Sequence, residues 1–201
     1  MTTCMMIFTS ALFVLPIFSV FADESSEEEV ATFAGGCFWC MQQVFDSEKG
    51  VLSTTVGYTG GDAPNPTYAQ VSSGQTGHAE AIEVRYDPNK ISYEELLQTF
   101  WRNVDPEAKD AQFCDKGPQY RSEIFTHSEE QKELAEKSKQ ALLSSGQVKV
   151  IYTEITPVST FYPAEEYHQK YYLKKPTRYK FYKYLCGRAQ RLKELWEQPK
   201  K

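Results

Sequence analysis

The stretch Gly35-Gly36-Cys37-Phe38-Trp39-Cys40 constrains the fold most, because it must turn a strand into a helix. Residues 30–33 alternate as a short strand, and apolar residues after Cys40 recur at the i,i+4 spacing of a helix. Paired glycines allow a sharp turn and the close approach of another molecule. Cys37 is therefore predicted near a helix N-terminus, where free backbone N–H groups and the helix dipole stabilise a thiolate.

Phe38 and Trp39 predict an apolar pocket wall beside this sulfur, since two large rings are costly to leave in water. Cys40 completes a Cys-x-x-Cys motif, which is compatible with a redox dithiol or with half of a zinc site. Most buried cysteines are only small apolar residues. The glycine turn and the two rings favour a reactive Cys37 over that interpretation.

The N-terminus predicts export. Residues 5–22 are uncharged and apolar and end at a small Ala22, so residues 1–22 are interpreted as a cleaved signal peptide, with an uncleaved membrane anchor as the alternative. Residues 23–29 form an acidic linker, residues 30–187 the folded domain, and residues 188–201 a C-terminal helical tail. The expected location is the periplasm, the ER lumen or outside the cell.

The alternation of polar and apolar residues predicts an α+β fold. Strand, helix, strand, strand, helix, strand is the order of a ferredoxin-like split β-α-β unit, a two-layer structure with helices on one face of an antiparallel sheet. An irregular C-terminal extension follows. Beyond the first strand and helix, the elements are strands at 51–58, 78–86, 120–126 and 148–155 and helices at 92–101, 128–144, 164–172 and 188–196.

Composition excludes some function classes. A net charge of −5 disfavours binding to a nucleic-acid backbone, and no glycine-rich phosphate loop follows a strand. The basic, tyrosine-rich residues 170–193 are interpreted as a solvated segment wrapped over the domain. Cysteines are too sparse for a disulfide-stapled miniprotein, so in an oxidising compartment we expect them to be paired or redox-active.

Glu80 is the second chemically informative residue. It shares a strand face with Ile82, Val84 and Tyr86, the side that should pack into the core. Burial favours the neutral acid and raises its pKa, unless the side chain reaches solvent or an arginine. A protonated carboxyl near a thiolate pairs a proton donor with a nucleophile.

Loop residues could complete the site. Tyr68, Asp115 and Tyr120 lie in or beside loops at strand ends, where hydroxyl groups could orient a substrate oxygen. Cys114 and Cys186 are candidates to attack an oxidised Cys37.

Several motifs resemble those of the A-type peptide methionine sulfoxide reductases, in the order of that family and from about residue 31 to residue 172. They are Gly36-Cys37-Phe38-Trp39, Gly57-Tyr58-Thr59-Gly60-Gly61, Asn65-Pro66-Thr67-Tyr68, Gly77-His78-Ala79-Glu80-Ala81 and Asp115-Lys116-Gly117-Pro118-Gln119-Tyr120-Arg121-Ser122.

The resemblance implies that Cys37 attacks the sulfur of a methionine S-sulfoxide, in proteins or free, while Glu80 protonates the oxygen. Tyr68 and Tyr120 would assist, and Asp115 would help hold the site. Phe38 and Trp39 would enclose the S-methyl group. The product is methionine and a sulfenic acid, which a second cysteine converts to a disulfide that a thioredoxin-type donor reduces. No cofactor or metal is expected, and the protein is expected to be a monomer.

The chain departs from the family where the second thiol is concerned. Many members have Gly in place of Cys40 and end in a glycine-rich tail with two cysteines, whereas Arg188 to Leu192 follow Cys186-Gly187 here. Cys186 is the first candidate to resolve the sulfenic acid, then Cys40, then Cys114. Two other hypotheses remain: a thioredoxin-like dithiol–disulfide oxidoreductase on Cys37 and Cys40, and a structural zinc module, for which histidines at ligand spacing are missing.

Overall fold

The computed structural model describes residue 1 and residues 28–197. Its strands are β1 (Glu29–Gly35), β2 (Val51–Thr59), β3 (Ala79–Tyr86), β4 (Ala111–Gln112), β5 (Asp115–Lys116), β6 (Ser122–Thr126), β7 (Glu154–Pro157) and β8 (Tyr162–Pro163). Its helices are α1 (Phe38–Phe45), α2 (Tyr68–Ser72), α3 (Tyr93–Arg102), α4 (Glu129–Ser144), α5 (Tyr171–Lys174), α6 (Pro176–Leu185) and α7 (Arg188–Trp196), with a 3₁₀ turn at Pro118–Tyr120.

The main sheet has six strands in the order β7-β6-β1-β3-β2-β8. The four central strands, β6-β1-β3-β2, pair antiparallel, as the split β-α-β order predicts. β8 joins one edge antiparallel, while β7 joins the other edge parallel to β6. The predicted α+β class is confirmed, with one parallel pair at an edge.

The main core lies between this sheet and the helices on one of its faces. Phe33 of β1 stacks on Phe45 of α1 at 5.1 Å and on Phe100 of α3 at 5.2 Å. Ile82 and Val84 of β3 belong to the same buried cluster, on the face that alternation predicts. Because α1 and β3 meet in this layer, the segment that begins α1 lies over the residue at the start of β3.

Two parts of the chain differ from the sequence expectation. The strand predicted at 148–155 occurs later, as β7, because its pairing with β6 begins only at Glu154. The helix predicted at 164–172 is reduced to α5, and the longer α6 was not predicted. α6 has Pro176 at its start and lysines alternating with tyrosines, so it lacks a clear apolar stripe.

The C-terminal segment packs onto the domain. In α7, Arg188 and Leu195 are buried, and the backbone oxygen of Leu195 accepts a hydrogen bond from the Gln147 side chain at 3.0 Å. The predicted signal peptide and all but the end of the predicted acidic linker lie outside the described residues. The last linker residue, Glu29, begins β1. No helix of the described part is long and apolar enough to cross a membrane.

Candidate active site

The turn between β1 and α1 is built on two crowded glycines. A Cβ on Gly35 would lie 2.7 Å from Met41 Sδ, and one on Gly36 would lie 2.4 Å from Gln112 Cβ. Gly36 also has a φ of +75°, which glycine adopts without strain. Cys37 is the N-cap of α1, and its backbone oxygen accepts from the Cys40 N–H at 3.0 Å. The predicted helix start at Cys37 is confirmed.

A small cavity of about 70 Å³ opens at this helix start. It is lined by Cys37, Phe38, Trp39, Tyr68, Glu80, Asp115, Tyr120 and Tyr182. Seven of these residues were selected from the sequence, and the structure brings all seven together. Cys40 and Cys186 are not part of the lining, although Cys186 Sγ lies 3.9 Å from Asp115 Oδ2.

Glu80 is buried, with 2% of its surface exposed, as the strand pattern predicts. Its Oε2 atom accepts a hydrogen bond from the Phe38 backbone N–H at 3.1 Å. Burial raises the pKa of Glu80 to about 8, and the charges of Asp115 and Cys40 add to the rise, while the Phe38 hydrogen bond opposes it. At neutral pH the carboxyl is therefore mostly protonated and can donate a proton.

Cys37 and Cys40 are both buried, 5% and 3% exposed, and belong to one buried cluster with Tyr171 and Tyr179. Burial raises the pKa of Cys37, whereas the neighbouring Cys37 thiol lowers the pKa of Cys40 to about 6. The two buried sulfurs titrate together, so the pair shares one thiolate.

The hydroxyl-bearing residues keep their protons near neutral pH. Burial raises the pKa of Tyr68 to about 12 and also raises the pKa of Tyr120. Both therefore remain able to donate hydrogen bonds in the cavity. The Tyr182 hydroxyl donates to Asp115 Oδ2 at 2.5 Å, and burial raises the pKa of that carboxyl.

Aromatic rings form one wall of the cavity. Trp39 stacks on Tyr171 with ring centroids 4.0 Å apart and an interplanar angle of 11°. The indole Nε1–H donates to His168 Nδ1 at 3.1 Å. Phe38 lies 6.2 Å from Trp39, centroid to centroid. The rings are thus fixed in place, which suits a small apolar group at the cavity mouth.

Cys186 is bonded to Cys114 in a disulfide, while Cys37 and Cys40 are free thiols. The first candidate to pair with Cys37 is therefore paired elsewhere in this structure, and the second candidate lies against it. Among the described residues, Cys114, Asp115 and Cys186 are the group whose ligand atoms are close enough for a metal, and the disulfide uses both sulfurs. Cys37 and Cys40 are not joined to that group, which argues against the zinc-module hypothesis.

Sequence reasoning missed three residues of the site: Tyr182, Tyr171 and His168. Tyr171 and Tyr182 lie in the basic, tyrosine-rich segment that was interpreted as a solvated surface. Solvated linkers contain few aromatic residues, so the many tyrosines of this segment were the sequence signal that it packs against the domain. His168 had no recognisable ligand or catalytic spacing.

The comparisons with known proteins agree on one family. The family model described as peptide methionine sulfoxide reductase matches residues 29–200. The peptide methionine sulfoxide reductase MsrA of Listeria welshimeri is 51% identical over 170 residues, which is 84% of this chain and 96% of the relative.

Solved structures give the same result. Reduced Mxr1 from Saccharomyces cerevisiae matches with a TM-score of 0.71 and 35% identity, covering 76% of this chain and 88% of Mxr1. Mxr1 in complex with Trx2 matches with a TM-score of 0.53 and 25% identity, covering 76% and 91%. The chain belongs to the peptide methionine sulfoxide reductase family.

Proposed function

We propose that this protein reduces methionine S-sulfoxide, free or within proteins, to methionine, with Cys37 as the nucleophile and Glu80 as the acid. The observation that carries the proposal is a protonated, buried carboxyl in the same small cavity as the buried Cys37 thiol, with a second free thiol, Cys40, in the same buried cluster as Cys37. A sulfoxide sulfur is a poor electrophile until its oxygen receives a proton. A carboxylic acid that is neutral at pH 7 supplies that proton.

The first step joins Cys37 to the substrate sulfur. As the Cys37 sulfur attacks, its proton passes to the Cys40 thiolate, and Glu80 gives its proton to the sulfoxide oxygen. Tyr68 and Tyr120 donate hydrogen bonds to the same oxygen. The hydroxyl then moves to the Cys37 sulfur: a bond forms between that sulfur and the oxygen, the substrate sulfur–oxygen bond and the bond between the two sulfurs break, and methionine leaves with Cys37 as a sulfenic acid.

Cys40 resolves the sulfenic acid in this proposal. Its sulfur attacks the Cys37 sulfur, a disulfide forms, and the hydroxyl leaves as water. Over both steps two thiols and one sulfoxide become one disulfide, one thioether and one water. The two free thiols lie in one buried cluster, which favours Cys40 over Cys186, whose sulfur is held by Cys114.

Electrons return from a thioredoxin-type protein. Cys37 and Cys40 are buried, whereas Cys114 is exposed, so an external dithiol meets the Cys114–Cys186 disulfide first. Once reduced, Cys186 can exchange with the Cys37–Cys40 disulfide, since its sulfur lies 3.9 Å from the Tyr182 hydroxyl that borders the same cavity. The Mxr1 complex with Trx2 supports a donor of this class.

The test is a reduction assay with two peptides that differ only in the epimer of their methionine sulfoxide. In the presence of dithiothreitol, we expect conversion of the S epimer and little conversion of the R epimer, with mass spectrometry as the readout. Cys37→Ser should convert neither peptide while still binding the S epimer in calorimetry. Equal activity of wild type and Cys37→Ser would refute the proposal.

The Cys37–Cys40 pair keeps one alternative function open, a general dithiol–disulfide oxidoreductase. That activity requires both thiols to reduce a disulfide substrate, so Cys40→Ser should abolish the reduction of insulin by the protein. The sulfoxide reductase proposal expects negligible insulin reduction even in the wild type.

Export is a separate proposal, supported by the apolar residues 5–22 and the small Ala22. N-terminal sequencing of the mature protein from its host tests it. An N-terminus at Asp23 would support cleavage, and an intact N-terminus on protein recovered from the cytosol would contradict it.

A further inference from the structure

Arg188, the first residue of α7, is a charged side chain with only 3% of its surface exposed. Its guanidinium donates to the backbone oxygens of Asn103 at 2.5 Å and Gly35 at 3.5 Å, and it contacts Met41 Sδ at 2.9 Å. It also lies 4.5 Å above the Phe113 ring. Every one of these partners is neutral.

Within residues 28–197 no carboxylate forms an ion pair with Arg188. A guanidinium remains charged in proteins, and a buried charge without an opposite charge is unfavourable. Arg191 in the same helix shows the contrast, because it pairs with Asp105 at 2.6 Å and with Glu107 at 3.1 Å. The charge of Arg188 lowers the pKa of Asp115 and of Cys40, so these two groups supply the negative charge nearby.

The contacts of Arg188 place that negative charge in the active site. Gly35 and Met41 are the two ends of the segment that contains Cys37 and Cys40. On the other side, Phe113 precedes Cys114 in the chain. The buried cation thus contacts both the segment that carries the free thiols and the residue that precedes Cys114.

We propose that Arg188 is a positioning residue for sulfoxide reduction, and that its charge stabilises the thiolate shared by Cys37 and Cys40. The catalytic role of Arg188 rests on the proposed function. Its stabilisation of the thiolate does not, because that effect needs no substrate. It makes the C-terminal helix α7 part of the active-site machinery.

Other groups also face Cys40. Cys37 lies in the same buried cluster, Glu80 faces it from β3, and Tyr179 and Lys183 face it from α6. The neighbouring Cys37 thiol lowers the pKa of Cys40 most, followed by the charge of Arg188 and then by Tyr179 and Lys183. Lys183 is half-buried and donates to Gln43 Oε1 at 2.8 Å, so solvent screens its charge more than that of the buried Arg188.

The test measures thiolate formation without any sulfoxide. Protein with an intact Cys114–Cys186 disulfide is alkylated with iodoacetamide across a pH series, and peptide mapping follows Cys37 and Cys40. R188M and R188Q should react about tenfold more slowly at pH 5, the effect of one pKa unit. R188K keeps the charge and should react at nearly the wild-type rate, as should the matched control R191Q.

An unchanged alkylation profile in a natively folded R188M or R188Q would overturn the inference, because a purely structural role lowers the melting temperature without moving that profile. A second alkylation experiment uses the wild-type protein, so its result does not depend on whether a variant folds. Raising the salt concentration from about 0.05 M to about 1 M should leave the alkylation midpoint in place, since a buried cation is weakly screened. A rise in the midpoint with salt would assign the effect to Lys183 and overturn the inference.

These outcomes are separate from those of the proposed function. If no sulfoxide is reduced but R188M shifts the alkylation profile, only the proposed function fails. If sulfoxide is reduced and R188M leaves the profile unchanged, only the role of Arg188 fails.

Discussion

The Glu80 carboxyl accepts a hydrogen bond from the Phe38 backbone N–H at 3.1 Å, so the start of β3 is joined directly to the start of α1. That bond fixes the proposed acid next to the residue that follows the proposed nucleophile, Cys37. It also lowers the pKa of Glu80, yet burial raises it more. The carboxyl is thus both held in position and protonated at neutral pH.

Glu80→Ala should lower the single-turnover rate by about 10² to 10⁴, the usual contribution of a general acid. Glu80→Gln should be less impaired, because an amide is isosteric, accepts the Phe38 hydrogen bond and still donates one to the sulfoxide oxygen. Rapid-quench measurement of methionine formation compares the two variants. Equal losses in both would argue against a donor role for this side chain.

The rate should depend on pH with a plateau between about 6 and 8. Glu80 acts as an acid and its pKa is raised to about 8, so the rate falls as pH rises through that value. Cys40 acts as a thiolate base and its pKa is lowered to about 6, so the rate falls as pH drops below that value. Stopped-flow single turnovers provide the profile. Glu80→Gln should lose the alkaline decrease only, and a wild-type rate that is flat to about pH 9.5 would contradict the assignment.

Cys40→Ser should still form one methionine per chain in the absence of reductant, but at a lower rate, because the attack on sulfoxide uses the Cys37 sulfur. The sulfenic acid should then persist and be trapped by dimedone, since the serine hydroxyl does not form a disulfide. Mass spectrometry of the trapped protein tests this. A variant that forms no methionine but is folded would assign Cys40 an essential part in the first step.

Cys114→Ser should leave the single turnover intact and lower steady-state turnover with a thioredoxin-type donor by tenfold or more. This variant lacks the exposed Cys114–Cys186 disulfide. The Cys37–Cys40 disulfide proposed to form during turnover joins two buried cysteines, which an external donor reaches less readily. A coupled NADPH assay measures the steady state. Full turnover in this variant would show that the donor reaches the Cys37–Cys40 disulfide without help.

Gly36→Ala should destabilise the protein by about 2 to 4 kcal/mol, from a left-handed backbone and from overpacking against Gln112. Gly146→Ala is the matched control, because Gly146 has a φ of +70° and a Cβ added there would have no atom within 4 Å, so only the backbone cost of about 1 kcal/mol applies. Urea denaturation gives both values. Equal destabilisation would mean that crowding at Gly36 contributes nothing.

Much of this site follows from local patterns. Alternation along residues 78–86 predicted that Glu80 faces the core, and the glycine pair predicted the helix start at Cys37. The ionisation of the thiols could not be predicted in that way, because it depends on burial and on the contact with Cys40, which only the folded chain defines. Tyr182 reaches the cavity from α6, a helix without an amphipathic pattern, through its tertiary hydrogen bond to Asp115.

The most direct test of the central claim is one turnover followed by peptide mapping. Protein with its Cys114–Cys186 disulfide intact is mixed with a peptide containing methionine S-sulfoxide, without reductant, quenched by acid and digested. We expect one methionine per chain and a new disulfide between Cys37 and Cys40. Methionine formation with Cys37 recovered as a free thiol would contradict it.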